Sequence, residues 1–589
     1  MSRTLCSEFQ ATAAKRPDSV ALCTHDNSVT VTWRQYADRV RAIAGGLASL
    51  GIVRGDTVGI MLTNRPEFHL VDTGALHLGA TPFSVYNTLS AEQVAYLFAN
   101  AANRVVVCER AFLPVIRDAM SGSTESVIEH IVLVDGEEDG VITLADLESR
   151  VEPDFDFEAS WKAVQPDDIL TIIYTSGTTG PPKGVELTHA NLIAEFDALR
   201  QIMPAGLDDI IVSYLPDAHI ANRWGAHYSN LINGITIATL ADIRKTITAL
   251  PAVRPTFFGG VPQTWYRLKS AIDTAMAAEP SPVKKRLGRW ALDTGTKVAW
   301  LHSEGKAISP VVKAQHALAE RLVLSKIRAR IGLDRVRVSA SGAAPIAPDV
   351  LAFILGLGLP VCEVWGMSET SAVATTNRPG AYKIGTVGQA VPGTDVKLAE
   401  DGELLVRGPI VMRGYRNDPE KTAATFDADG WLQTGDIATI DADGFVTIVD
   451  RKKELIINAS GKNMSPSNIE GAIRSCSPMI GSAVAIGDNR PYVVALLTVD
   501  ADAGAAYAAS HGLTDTSPSA LAADPGVRAS LDAAITEANS KLSRVEQIKK
   551  FAILPTVWEP GGDELTPTLK LKRKPIGEKY ASEIEDLYT

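Results

Sequence analysis

The sequence predicts an α/β fold: a large N-terminal domain of mixed α/β sheets with a β-rich subdomain, followed by a small α+β C-terminal domain. Three observations predict it. Apolar runs of strand length alternate with amphipathic helical stretches as far as Glu109, the pattern of strands paired in parallel across crossover helices. From Gly385 onward short strands and turns take over, and residues 469–589 mix helix patterns with a hairpin. At 589 residues the chain is too long for a single hydrophobic core.

Residues 32–50 read as an amphipathic helix, started by the capping pair Thr32 and Gln35 and stopped by Gly51. Strands at 57–62, 81–86 and 104–109 then alternate with helices at 65–79 and 90–101, while the acidic stretch 154–168 reads as an irregular connector. Composition, 46% hydrophobic and 21% charged, is that of a soluble globular protein. A formal charge of −12 argues against nucleic acid as a partner. The five cysteines are scattered and lack metal-ligand spacing, so they read as free thiols in a reducing compartment. Residues 1–18 show no signal core, and the longest apolar run, 350–362, is shorter than a membrane span. The expected location is the cytoplasm, with peripheral contact at the inner face of the membrane and a homodimer left open.

The densest chemistry lies in Thr175-Ser176-Gly177-Thr178-Thr179-Gly180-Pro181-Pro182-Lys183-Gly184, directly after the apolar run Ile169-Leu170-Thr171-Ile172-Ile173-Tyr174. Glycines let backbone N–H groups approach an anion, hydroxyls add donors and Lys183 adds charge, so the stretch suits phosphates. It is not a Walker A loop, because Gly184 rather than Ser or Thr follows the lysine and two prolines precede it.

Here the sequence resembles the adenylate-forming superfamily of acyl-CoA synthetases, peptide-synthetase adenylation domains and firefly-type luciferases. Further motifs extend the resemblance over nearly the whole chain. It implies that Thr175, Ser176, Gly177, Thr178, Thr179, Gly180 and Lys183 wrap the β- and γ-phosphates of ATP while a carboxylate attacks the α-phosphate.

A strand ending at Pro216 would bring His219 to the C-terminal edge of a sheet, where α/β proteins bind ligands. Alone such a histidine is more often structural. Leu215-Pro216-Asp217-Ala218-His219 resembles the family segment whose histidine lies by the acyl and phosphate groups, although Asn222 stands where long-chain relatives commonly carry Glu. Phe257, Phe258 and Trp265 suit either an apolar acyl tunnel or plain core packing. Residues 269–331 read as charged helices, and long-chain synthetases have a similar insertion; a solvated decoration is the alternative.

The strand 337–341 runs into Gly342-Ala343-Ala344, a small-residue turn that suits an adenine ring lying flat on backbone. A second strand end carries Trp365-Gly366-Met367-Ser368-Glu369-Thr370. Trp365 would pack on the base, Gly366 would allow close approach, and Glu369, with Thr175, would serve Mg²⁺. Asp436, in Thr434-Gly435-Asp436, resembles the ribose-binding carboxylate, joined by Arg451. By resemblance the domains divide here, 1–451 for adenylation and 452–589 as a mobile lid, with Lys453 as hinge. Gly461, Lys462 and Asn463 would line the coenzyme A tunnel. The basic run Lys570-Leu571-Lys572-Arg573-Lys574 does not itself single out a lysine; matching Thr568-Leu569-Lys570 to the family's Thr-Gly-Lys selects Lys570 as catalytic.

The resemblance implies an ATP-dependent long-chain fatty acid–CoA ligase using ATP, Mg²⁺ and coenzyme A. Alternatives are transfer to a carrier protein, a medium-chain or aromatic acid, or a non-catalytic nucleotide- or acyl-binding protein. The joint presence of Lys570, Glu369 and Asp436 argues against the last.

Overall fold

The computed structural model of the chain describes residues 2–122, 127–150, 152–175, 181–457, 463–559, 561–566 and 569–589. Two large sheets, one parallel and one mixed, dominate the N-terminal part. One has five strands, ordered Thr81–Ser84, Thr57–Met61, Val105–Cys108, His130–Leu133, Ile142–Thr143, all parallel. Its middle strand, Val-Val-Val-Cys, is fully buried, as a strand covered on both faces requires. The helix Trp33–Ser49, which leads into this sheet from the other, starts where the capping pair predicts, with Thr32 accepting from the Gln35 amide.

The other sheet has nine strands. Six neighbours run parallel: Val361–Trp365, Val338–Ser341, Phe257–Gly260, Ile210–Ser213, Thr236–Thr239 and Val20–Thr24. Short antiparallel strands close both edges. The phosphate-loop strand belongs to neither sheet. Ile169–Thr175 pairs antiparallel with Lys183–Thr188, so Thr175 lies opposite Lys183 and the loop joins two arms of a hairpin. Gly414–Tyr415 adds a third strand to it.

The β-rich part is a four-stranded antiparallel sheet, Asp395–Leu398, Glu403–Arg407, Leu432–Ile440 and Val446–Arg451. Beyond it, Ile480–Ile486, Val493–Val499 and Ile548–Leu554 form a sheet under the helices Pro466–Cys476 and Pro525–Lys541. A separate core, Ile456 to Phe551, holds this segment together. Ser465 ties it back by donating to Asp450 at 2.6 Å, and Lys541 reaches Asp349 at 3.1 Å.

Two local expectations change. The acidic connector contains the helix Phe157–Ala163: Asp156 caps it, and Phe157 and Trp161 are buried beneath its charged outer face. The strand before His219 stops at Ser213, because Leu215 to Ala218 turn to start the short helix Ile220–Asn222.

The charged stretch is helical as expected: Pro262–Ala277, Pro282–Ser303, Pro310–Ala319, a wide π turn Glu320–Leu324, then Ser325–Arg330. Gly295 lets Pro282–Ser303 lie backbone to backbone on the helix Pro348–Gly356, since a Cβ there would come within 2.1 Å of the Gly356 carbonyl oxygen. Among the described residues, no helix is long and apolar enough to cross a membrane.

Candidate active site

Four adjacent parallel strands end on one cavity of about 780 Å³. Gly342 and Ala343 leave the strand Val338–Ser341, Gly366 to Glu369 leave Val361–Trp365, Gly260 and Val261 close Phe257–Gly260, and His219 follows Ile210–Ser213. This is the carboxyl edge at which parallel sheets bind ligands. Thr175 and Lys183 border the cavity from the hairpin, Thr434 and Arg451 from the β-rich part, and Thr566, Lys570 and Leu571 from the C-terminal segment. Gly366 is required by contact: a Cβ would lie 1.9 Å from the Ala372 carbonyl oxygen.

Glu369 is 7% exposed and accepts a hydrogen bond from the Tyr415 hydroxyl at 2.8 Å. Lys183 Nζ sits 4.8 Å from the centroid of the same ring. Burial, and then the Glu369 charge, hold the phenol above its ordinary pKa, so it stays a donor. A sequence reading gives Tyr415 no role. Its partner is 46 positions away, and nothing in the local pattern announces the pairing.

Lys570 keeps accessible surface, which opens on this cavity. Burial by the surrounding protein and then the Arg451 charge lower its pKa, opposed by Asp436, Glu454 and Glu369. His219 is held down to about 3 by burial and then by Lys570. Its Nδ1 accepts from the Ala221 amide at 3.1 Å, leaving the proton of the neutral ring on Nε2. Arg573 pairs with Glu454 at 3.2 Å and with Glu470 at 2.5 Å, tying the lysine-bearing segment to the turn after Arg451.

Asp436 is 4% exposed and lies behind the cavity wall. Arg451 Nε is 2.7 Å from its Oδ1, and Trp365 Nε1 donates to its Oδ2 at 2.8 Å. Burial raises the Asp436 pKa, opposed first by Arg451 and then by the Trp365 bond. Each oxygen keeps a second lone-pair direction for a further donor.

Several expected site residues sit elsewhere. Trp365 does not border the cavity: Val364 does, and successive strand residues point to opposite faces. The same alternation separates Phe257, on the cavity, from Phe258, whose ring meets the fully buried Trp265 edge-on at 5.4 Å in the core. Ala344 and Thr370 also stay outside the wall. Thr370 instead braces the turn, its hydroxyl accepting from the Met367 amide at 3.0 Å. No residue from 262 to 331 lines this cavity.

Lys453 borders the cavity inside the turn Lys452–Glu454, which links Val446–Arg451 to Ile456–Ile457. Its neighbour Lys452 is clasped by Asp401 and Glu403. Ser176, Gly177, Thr178, Thr179, Gly180, Gly461 and Lys462 lie outside the described residues, and Asn463 is described by its backbone alone, in the short strand Asn463–Met464.

Among the described residues no three His, Cys, Asp or Glu side chains gather as a metal cage. The donor set still suits Mg²⁺, which keeps several waters and is held by one or two carboxylates together with substrate phosphates. Glu369, with Thr175 also on the wall, meets that need.

Residues 9–416 match the AMP-binding enzyme family, and residues 453–589 match the AMP-binding enzyme C-terminal domain. The chain is 53% identical over 450 residues to the fadD11 protein of Mycobacterium tuberculosis, covering 76% of this chain and 79% of that one. It is 36% identical to the long-chain-fatty-acid–CoA ligase FadD15 of the same organism, covering 95% of this chain and 92% of the relative. A solved adenylation domain of a carboxylate reductase from Mycobacterium chelonae shares the fold with a TM-score of 0.77 at 19% identity, over 100% of this chain and 91% of that one.

Proposed function

This chain belongs to the AMP-binding enzyme family, and from that premise we propose an ATP-dependent long-chain fatty acid–CoA ligase. In the first half-reaction a fatty carboxylate oxygen bonds to the α-phosphorus of ATP and pyrophosphate leaves. In the second, the coenzyme A thiol adds to the acyl carbon, loses its proton and expels AMP. The chemistry uses ATP, Mg²⁺ and coenzyme A. The observation that carries the reading is the meeting of Lys183, Glu369, Arg451 and Lys570 around one cavity, from four distant parts of the chain.

Two anions must approach each other in the first step, so positioning and fixed positive charge do most of the work. Lys570 and Lys183 both line the cavity, and Lys183 would hold the departing pyrophosphate. Bound Mg²⁺ would add charge compensation on the phosphates, with Glu369 and Thr175 as its protein side. Asp436 would receive the ribose hydroxyls, Gly342 and Ala343 the adenine. His219, neutral, would donate from Nε2 without adding a further cation beside Lys570 and Arg451.

The long-chain assignment draws on FadD15, named for that substrate class, and on apolar wall residues such as Ile211, Leu215 and Phe257. We read residues 1–451 as the adenylation domain and 452–589 as a lid turning at Lys453; the separate core beyond Ile456 supports that division. The lid's turn would withdraw Lys570 and bring Gly461, Lys462 and Asn463 up to the thiol. Because its acid substrate is amphiphilic, we place the enzyme in the cytoplasm with peripheral contact at the inner face of the membrane. Pyrophosphate release on adding palmitate and ATP, followed by AMP release that needs coenzyme A, tests the function. A protein that binds both substrates without releasing pyrophosphate would be a binder only.

A further inference from the structure

The helices between Pro262 and Arg330 supply none of the cavity wall, so their outer surface calls for another use. Residues 282–330 carry eleven lysines and arginines against three carboxylates, in a chain whose formal charge is −12. Of those cations only Lys306 and Arg328 form ion pairs among the described residues, with Glu304 and Glu320. On Pro282–Ser303, Gly288, Ala291, Gly295 and Ala299 face inward, leaving Arg286, Arg289 and Lys297 exposed on the opposite side.

The following helical leg is open in a second way. Val311, Leu318 and Leu322 are 66%, 50% and 38% exposed. Their spacing of seven and then four residues keeps them on one face. Arg321 and Lys326 are exposed beside them. An apolar stripe flanked by unpaired cations is the pattern of a helix that lies in a membrane interface, with its aliphatic side at the acyl boundary and its cations at headgroup phosphates. A two-fold dimer through this surface would bring like charges face to face.

We propose that the outer face of the helical hairpin Pro282–Ser303 and Pro310–Ala319, continued through Arg330, docks the enzyme on an anionic lipid surface. This deepens the peripheral-contact reading and rests on it, by naming the surface and the headgroup charge it selects. Docking there would present the enzyme to the phase in which a long-chain acid partitions, while the hairpin itself stays out of the chemistry.

Cosedimentation of the full chain with vesicles of pure phosphatidylglycerol or pure phosphatidylcholine tests it. Binding is expected to phosphatidylglycerol alone and to weaken as salt rises. Two paired variants, Arg289→Glu with Lys297→Glu and Leu318→Asp with Leu322→Asp, should each lower that binding at least about tenfold. Both should keep the wild-type unfolding temperature and vesicle-free pyrophosphate release. If wild type binds phosphatidylglycerol and both folded variants bind equally well, this surface is wrong while peripheral contact stands. Wild type that binds neither lipid, or both equally, overturns the proposal and the contact reading with it. If Leu318→Asp with Leu322→Asp instead dissolves a dimer, the face belongs to a second copy and the proposal falls.

Discussion

Trp365 Nε1 donates to Asp436 Oδ2 at 2.8 Å, while Arg451 Nε stands 2.7 Å from Oδ1 of the same carboxylate. The aromatic expected to stack on the nucleobase is thus bound to the residue expected to hold the ribose. Trp365→Phe keeps most of the packing and deletes the donor. A hydrogen bond to a charged acceptor contributes about 1.5–3 kcal/mol, so kcat/KM for ATP should fall roughly 10- to 100-fold. Steady-state kinetics checks this. An unchanged ATP dependence in the folded variant would show that Asp436 needs no help from the indole.

Lys570→Ala removes a fixed cation from the site of charge build-up. Pyrophosphate release should drop by about 10²–10³, as for loss of one electrostatic donor, while supplied acyl-adenylate still reacts with coenzyme A. Lys572, bonded to the Gly562 carbonyl, and Lys574, beside Glu578, should tolerate alanine in both half-reactions. Half-reaction assays on the three variants decide which lysine acts.

Lys453→Pro addresses the hinge. Proline fixes φ near −65°, so a turn that must change its backbone angles would be held in one arrangement. With Lys570 in the cavity, the arrangement seen here suits adenylation. Single-turnover pyrophosphate release should survive and thioester formation from acyl-adenylate should fall steeply. Lys453→Ala, which leaves φ free, should be milder. Equal loss of both half-reactions in a Lys453→Pro protein with wild-type unfolding temperature would count against a hinge at this position.

Chain length should govern specificity. Each methylene buried in an apolar cavity adds about 0.8 kcal/mol, so coenzyme A-dependent AMP formation should rise from octanoate to palmitate, with acetate and benzoate poor. A preference for the short acids would sink the long-chain assignment.

Glu363 gives a pH test of stability. Burial raises its carboxyl to about 8, opposed only in part by hydrogen bonds from the Gly385 and Ile346 amides. The folded state therefore binds more protons than the unfolded chain between about pH 4.5 and 8, and stability contributed by this group is lost as pH rises through that window. Glu363→Gln keeps an acceptor without ionising. It should unfold at a higher temperature than wild type at pH 8, by an effect on the order of a few kcal/mol, and show no such gain at pH 4.5. Parallel unfolding curves across that range would refute the account.

By itself the sequence determined the alternation of strands and helices, the capping pair at Thr32, and the string from Trp365 to Thr370, because each is a local pattern of period, capping or motif. It also delivered Lys183, Glu369, Arg451 and Lys570 as a set, through family resemblance. What local pattern could not carry is which way a side chain points and what meets it across the fold. Trp365 lies at the end of its strand, as expected, and Phe258 lies within Phe257–Gly260, yet a one-residue step along each strand turns both away from the cavity. Tyr415 joins Glu369 only when a third strand is laid on the phosphate-loop hairpin, and Asp436 gains Trp365 only because the nine-stranded sheet and the antiparallel sheet meet there. The helical insertion was legible as helices, but the close approach of Gly295 to Gly356, which packs its longest helix on Pro348–Gly356, has no local signal. Contacts between residues far apart in the chain are fixed by packing, and packing alone assigned these residues their partners.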